Sequence, residues 1–280
     1  MDIVDLHVHS TASDGTLSPS EVICLAKETK LRAVALTDHD TIAGIEEALD
    51  AGKEMGIEVI PGVELSCSYL KKEIHIVGLF IDYENPDFCA ELDYLKDTRD
   101  TRNEQMAEKF QERNIPVTTV MLKERFPDAV ITRAHFASWL HENNFVSSVR
   151  EAFDRYLNDN GPCYVPRYKM PCEETIRLIH DAGGIAILAH PILYKIGTAE
   201  LTKMVVYLKK CGLDGIEAIY STYTPSDETL IRKLAKENRL TISGGSDFHG
   251  DNKPYIKLGT RKGNLKIPYE VLTNLRNILP

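Results

Sequence analysis

Several things are scarce in this chain, and each scarcity removes a class of protein. No apolar run approaches the roughly 20 residues a membrane span needs. Basic residues do not dominate: 33 Lys and Arg stand against 42 Asp and Glu, a formal charge of −9. That balance argues against broad, sequence-independent binding to nucleic acid. It leaves a phosphorylated substrate open, because bound metal ions would make a site locally positive. The six cysteines, Cys24, Cys67, Cys89, Cys163, Cys172 and Cys211, include no Cys-x-x-Cys pair. They read as reduced packing thiols of a cytoplasmic protein. The first residues carry neither a basic region nor an apolar signal core, so export is not expected. No repeat and no low-complexity tract interrupts the 280 residues.

What is present is the alternation of an α/β protein. Seven short apolar runs read as strands: Ile3–Asp5, Ala33–Thr37, Glu58–Leu65, Ile74–Ile81, Ile185–Ala189, Gly215–Tyr220 and Leu240–Gly244. Several lack strict alternation, as parallel strands covered on both faces do. Helical patterns separate most of them. Ser18-Pro19-Ser20-Glu21 is a capping box with Pro at the first helical position. Thr224-Pro225 repeats the Pro start, and Gly183-Gly184 stops a helix that begins near Glu173. Residues 89–166 break the rhythm with helical patterns at 90–113, 132–142 and 148–157 and a short extended piece at 116–118. The expected architecture is a barrel formed by residues 1–88 and 167–280, with residues 89–166 as a small helical insertion covering its active site.

The chemistry gathers at the strand ends, where barrel enzymes keep it. His7 and His9 are two apart and share a face of extended chain. Asp14 follows in a loop. Thr37-Asp38-His39-Asp40 follows the second strand, Glu64 closes the third, His190 the fifth, and Asp247-Phe-His249 the seventh. Five of the nine histidines fall at these ends, more than chance placement explains. Histidine with carboxylate suits Mn, Fe or Zn better than Ca or Mg. His75 opens its run instead of closing it. An antiparallel strand would bring it to the site; otherwise it is a half-buried strand histidine. His141 and His180 lie in helical patterns and read as structural.

Taken together, His7-Val-His9-Ser, Asp14-Gly15, Thr37-Asp-His39-Asp40, Gly62-Val-Glu64-Leu-Ser66, His75-Ile-Val-Gly, Ala189-His190-Pro191 and Ser246-Asp247-Phe-His249 resemble the PHP (polymerase and histidinol phosphatase) family of metal-dependent phosphoesterases. The resemblance implies a distorted (β/α)7 barrel. It implies two or three divalent transition metal ions (Mn, Fe or Zn). His7, His9, Glu64 and Asp247 would hold the first, Asp14, His39 and His249 the second, and Glu64 with His75 and His190 the third. It further implies hydrolysis of phosphate monoesters of small nucleotides, such as the 3′ phosphate of a 3′,5′-bisphosphate, by a metal-bridging hydroxide, with Asp247 handling its proton. Thr132-Arg133-Ala-His135 resembles the nucleotide-phosphatase branch, and Arg133 and His135 are expected to grip a substrate phosphate. Tyr164, Arg167 and Lys169 form a second basic-aromatic cluster; it reads equally as a surface cluster and as one that stacks on a base or contacts phosphate. The alternatives are a 5′→3′ exonuclease on short RNA, a histidinol-phosphate phosphatase, and a metal-free structural module. The last is disfavoured because all nine ligand positions are filled. No obligate protein partner is evident.

Overall fold

A computed structural model describes residues 2–70, 72–127, 129–259 and 266–279. The strands are β1 Ile3–Val8, β2 Ala33–Leu36, β3 Glu58–Tyr69, β4 Lys72–Leu79, β5 Met170–Pro171, β6 Ile185–Leu188, β7 Gly215–Tyr220, β8 Thr241–Gly245 and β9 Ile267–Pro268. The helices are α1 Pro19–Glu28, α2 Ile45–Met55, α3 Pro86–Gln111, α4 Thr119–Arg125, α5 Arg133–Glu142, α6 Val149–Ala152, α7 Cys172–Asp181, α8 Thr198–Lys210, α9 Pro225–Glu237 and α10 Tyr269–Arg276. A π-helical turn, Phe153–Leu157, continues α6.

Contacts divide the chain into two units, residues 1–89 with 169–280, and residues 90–168. In the first, the sheet runs in the order β8-β7-β6-β4-β3-β2-β1-β9, with β5 on β3. β1, β2 and β3 are mutually parallel, as are β6, β7 and β8. β4 is antiparallel to both its neighbours, β3 and β6. The sheet curls into a nearly closed barrel. Its two ends meet where Val8 bridges Phe248, and the Asp247 and His9 amides donate to the His7 and Phe248 carbonyls at 2.9 and 3.0 Å. Asp5 secures the seam: its carboxylate accepts the Ser246 and Gly259 N–H groups, both at 2.8 Å.

Burial on both faces explains the unbroken apolar runs. Ala33 and Ala35 of β2 join a cluster with Val4, Leu6, Ile187 and Leu272, whereas Val34 and Leu36 pack against Val22, Ile23 and Ala48 of α1 and α2. The capping boxes at Ser18 and Thr224 form as expected, and Gly183 takes the left-handed conformation that ends α7. The second unit has its own core, including Met106, Phe110, Phe136, Leu140 and Leu157. Here residues 116–118 form no strand; Thr118 instead caps α4, a helix the sequence pattern did not signal. The short β5, β9 and the C-terminal α10 were not anticipated either. Two-residue strands and an eight-residue helix carry too little periodicity to stand out.

Candidate metal centre

Local structure brings the chemistry together. β1 runs to Val8, three residues past the expected end, so His7 lies within the strand and His9 just beyond it. The 9-to-15 loop turns back tightly: the Ser13 and Gly15 amides donate to the Ser10 carbonyl, and Asp38 accepts from Ser10 N–H (2.8 Å), Ser10 Oγ (2.7 Å) and Ser13 Oγ (2.5 Å). That loop delivers Asp14. β3 delivers Glu64, which faces His39 through a parallel bridge after β2. The reversed direction of β4 decides His75. Its register pairs Ser66 with His75, and the His75 carbonyl accepts from Ala189 N–H at 3.0 Å. The first part of β4 therefore sits between the Glu64 and His190 ends of its neighbours.

Glu64, fully buried, is the hub. Its Oε2 lies 3.1 Å from His7 Nε2, 3.2 Å from His9 Nε2 and 3.2 Å from His39 Nδ1. Its Oε1 lies 2.7 Å from His75 Nδ1 and 2.8 Å from His190 Nε2. Asp247 Oδ1 is 3.3 Å from His9 Nε2 and 3.7 Å from His7 Nε2, and Asp14 Oδ1 is 3.2 Å from His249 Nε2. Among the described residues, three groupings have ligand atoms close enough to share an ion: His7, His9, Glu64 and Asp247; His9, Asp14, His39 and His249; and His39, Glu64 and His75. The first matches the expected set. The second adds His9 to it. The third takes His39, with His190 reaching the same Glu64 oxygen as His75.

The donor set passes a test of its own. His7 Nε2, His9 Nε2, His39 Nδ1 and Glu64 Oε2 are buried without a hydrogen-bond partner, yet they converge. Buried polar atoms are ordinarily satisfied, and orphaned lone pairs aimed at one point suit a cation. Protons otherwise compete for them. Burial opposes charge on His7, but Glu64 and Glu217 outweigh it and hold its pKa well above the usual imidazole value. Burial opposes charge on His9 too, yet Asp247 and Glu64 push it up to about 9, and Glu64 with Glu73 does the same for His75. Burial keeps His39 and His249 low. Despite burial, the surrounding imidazoles hold Glu64 and Asp14 well below the carboxylate range, and Lys253 with His249 does so for Asp247.

Backbone strain marks the same rim. Asp40, His190 and Asp247 adopt left-handed φ values of 52°, 30° and 57°, an arrangement that costs of order 1–3 kcal/mol each and persists where surroundings enforce it. Asp40 accepts the Ser66 N–H at 2.9 Å.

Other residues took roles the sequence did not foretell. Glu217, inside the apolar run of β7, touches His7 Nδ1 at 3.1 Å and accepts the His190 N–H at 2.8 Å. Tyr220 Oη and Lys253 Nζ donate to Asp247 Oδ2 at 2.5 and 2.6 Å. A carboxylate in a run otherwise fit for a doubly covered strand was the available signal for Glu217. Lys169 pairs with Glu73 at 2.5 Å, and Glu73 faces His75 Nε2 at 3.4 Å; this lysine braces a histidine instead of waiting at the surface. In the second unit, Arg133 Nη1 donates to Leu157 O (3.2 Å) and Asp159 Oδ1 (3.1 Å) and lies over the Tyr164 ring. His135 is buried, and its Nδ1 accepts the Thr132 N–H in a capping box at the start of α5. Tyr164 and Arg167 are half-buried. His180 pairs with Asp214 at 2.7 Å, and His141 Nδ1 lies 3.4 Å from the Val146 carbonyl.

A curled β/α sheet whose strand ends gather six histidines and three carboxylates defines a PHP-type phosphoesterase centre. Residues 5–161 match the PHP domain model, and the chain belongs to that family. It is 41% identical to a 5′-3′ exoribonuclease of Haemophilus influenzae over 88% of this chain and 89% of that protein. It is 35% identical to a 3′,5′-nucleoside bisphosphate phosphatase of Chromobacterium violaceum over 88% of this chain and 87% of that one. Among solved structures, a Bifidobacterium adolescentis protein provisionally assigned as a metal-dependent phosphoesterase superposes with a TM-score of 0.87 at 26% identity, covering 98% of this chain and 95% of that one.

Proposed function

We propose that this PHP-domain protein is a metal-dependent phosphoric ester hydrolase that acts on nucleotides, releasing phosphate from small nucleotides such as 3′,5′-bisphosphates. The observation that carries this reading is the convergence of orphaned, buried nitrogen and oxygen atoms on Glu64. His7, His9, Glu64 and Asp247 are the proposed ligands of one ion, Asp14, His39 and His249 with His9 of another, and Glu64, His75 and His190 with His39 of a third. When bound, divalent ions there would acidify water and neutralise phosphate charge. The protein's own part is orientation and proton handling. Tyr220 and Lys253 occupy Asp247 Oδ2 and leave Oδ1 towards the histidines, which suits an ionised Asp247 to accept a hydrogen bond from the attacking water and orient its proton. Arg133 is the proposed phosphate contact, with His135 ordering the helix start that carries it and Tyr164 beneath its guanidinium. A cytoplasmic setting accords with six unpaired cysteines.

Identity to the Haemophilus exoribonuclease favours a second reading, 5′→3′ removal of nucleotides from short RNA by the same centre. Phosphate and nucleotide release with Mn²⁺ separates the two. Adenosine 3′,5′-bisphosphate, 5′-AMP, histidinol phosphate and 5′-phosphorylated oligoribonucleotides are compared at equal concentration. Preference for the bisphosphate supports the monoesterase; mononucleotides released from the oligomer support the nuclease. Inertness to all of them rejects the class. Arg133→Ala should raise KM for the bisphosphate by at least tenfold, and unchanged kcat/KM removes Arg133 from the site.

A further inference from the structure

β7 ends no expected ligand motif, yet it carries a buried carboxylate against two proposed ligands. Glu217 is 3% exposed. Its Oε1 meets His7 Nδ1 at 3.1 Å, and its Oε2 accepts the His190 backbone N–H at 2.8 Å. The two ligands come from opposite parts of the sheet, β1 and the end of β6, and their rings stack at 5.7 Å with an interplanar angle of 25°. His190 holds φ 30° and ψ 50°, a conformation a non-glycine residue keeps only when something holds it. His7 Nε2, the nitrogen facing Glu64, is buried and unsatisfied.

We propose that Glu217 is a positioning residue of the metal centre: one carboxylate oxygen fixes the His7 ring with Nδ1–H outward and the Nε2 lone pair towards Glu64, while the other holds the His190 backbone so that its ring reaches the same point. This rests on the reading of the centre as a metal site. A carboxylate is required because both partners donate. A ligating imidazole commonly gives its second N–H to a carboxylate or carbonyl, which selects the tautomer and the ring orientation. Glutamine has one acceptor oxygen, so it can serve His7 or His190 but not both. Aspartate, one methylene shorter, cannot span the same two donors.

The test reads metal and not turnover. Metal-stripped wild type and Glu217→Gln are titrated with Co²⁺, following its visible absorption, and affinities are obtained by competition with a chelator. The variant should bind Co²⁺ with about 10–100-fold lower affinity and an altered absorption envelope, with its metal-free circular dichroism unchanged. Equal affinity with an unchanged spectrum overturns the role while leaving the proposed function standing. Wild type that takes up no Co²⁺ overturns both. Long-range ¹H–¹⁵N correlation of imidazoles in Zn²⁺-loaded wild type supplies a measurement independent of any variant's folding. His7 should show protonated Nδ1 and ligated Nε2, and the reverse pattern overturns the proposal.

Discussion

Six imidazoles share a small volume with three carboxylates, and the balance among them governs what each residue can do. Removing His9, which is common to two groupings, or Asp247, the carboxylate facing His7 and His9, should be decisive: His9→Ala or Asp247→Ala should lower phosphate release by at least a thousandfold with the circular dichroism spectrum retained. Turnover by metal-loaded mutant protein would reject the ligand assignment. The direction of pH dependence follows from the raised histidines. His9 and His75 titrate at about 9 in the metal-free fold against about 6.5 when free. Their favourable charge is fully present below 6.5 and is lost as pH rises through about 9. Chelator-treated protein should therefore lose thermal stability between pH 7 and 9.5. Metal competes for the same nitrogens, so Mn²⁺ affinity should rise with pH across that window. Thermal melts and Mn²⁺ titrations at several pH values check both, and a metal affinity that falls with pH would contradict the site.

At the scale of elements, the centre depends on how closely strands approach. Gly245, at the end of β8, shows this best. A Cβ placed there would overlap the His7 Cβ, with the His7 backbone N and Cα at 2.8 and 2.9 Å. Backbone cannot yield as a flexible side chain can, so Gly245→Ala should cost about 1–3 kcal/mol or more and weaken metal binding by displacing His7. A variant with the wild-type melting temperature and metal content would show that the seam tolerates separation. Strand direction matters as much as spacing. The antiparallel β4 puts His75 at the site although it opens its strand, where a parallel β4 would carry it to the far end of the barrel. Extension of β1 to Val8 places His7 inside the sheet, within reach of β7 and Glu217.

For the whole molecule, a ligand that binds only the folded centre should stabilise it by mass action, about 2.7 kcal/mol at a hundredfold excess over Kd. Chelation should lower Tm by roughly 5–10 °C, and Mn²⁺ should restore it; a melt indifferent to both would argue for a metal-free module. Much of this was legible without coordinates. Apolar runs bounded by helix caps revealed the alternating α/β order, because burial on both faces and capping chemistry are local and leave marks in sequence. The His-x-His and Asp-x-His pairs also announced themselves by their two-residue spacing; on the extended β1 that spacing puts side chains on one face. The residues that hold those side chains in place left weaker marks. Glu217, Tyr220, Lys253 and the Lys169–Glu73 pair act across β-sheet neighbours or from loops distant in sequence, so no spacing rule connects them to their partners. Arg133 and His135 carried a motif, while the contacts they make within the fold, His135 capping α5 and Arg133 pairing with Asp159, follow from no spacing rule. Residue type and local period thus determined which side chains could hold metal. Sheet order, the reversal of β4 and the close approach of β1 to β8 decided which atoms meet, because those are set by long-range packing and not by neighbours in the chain.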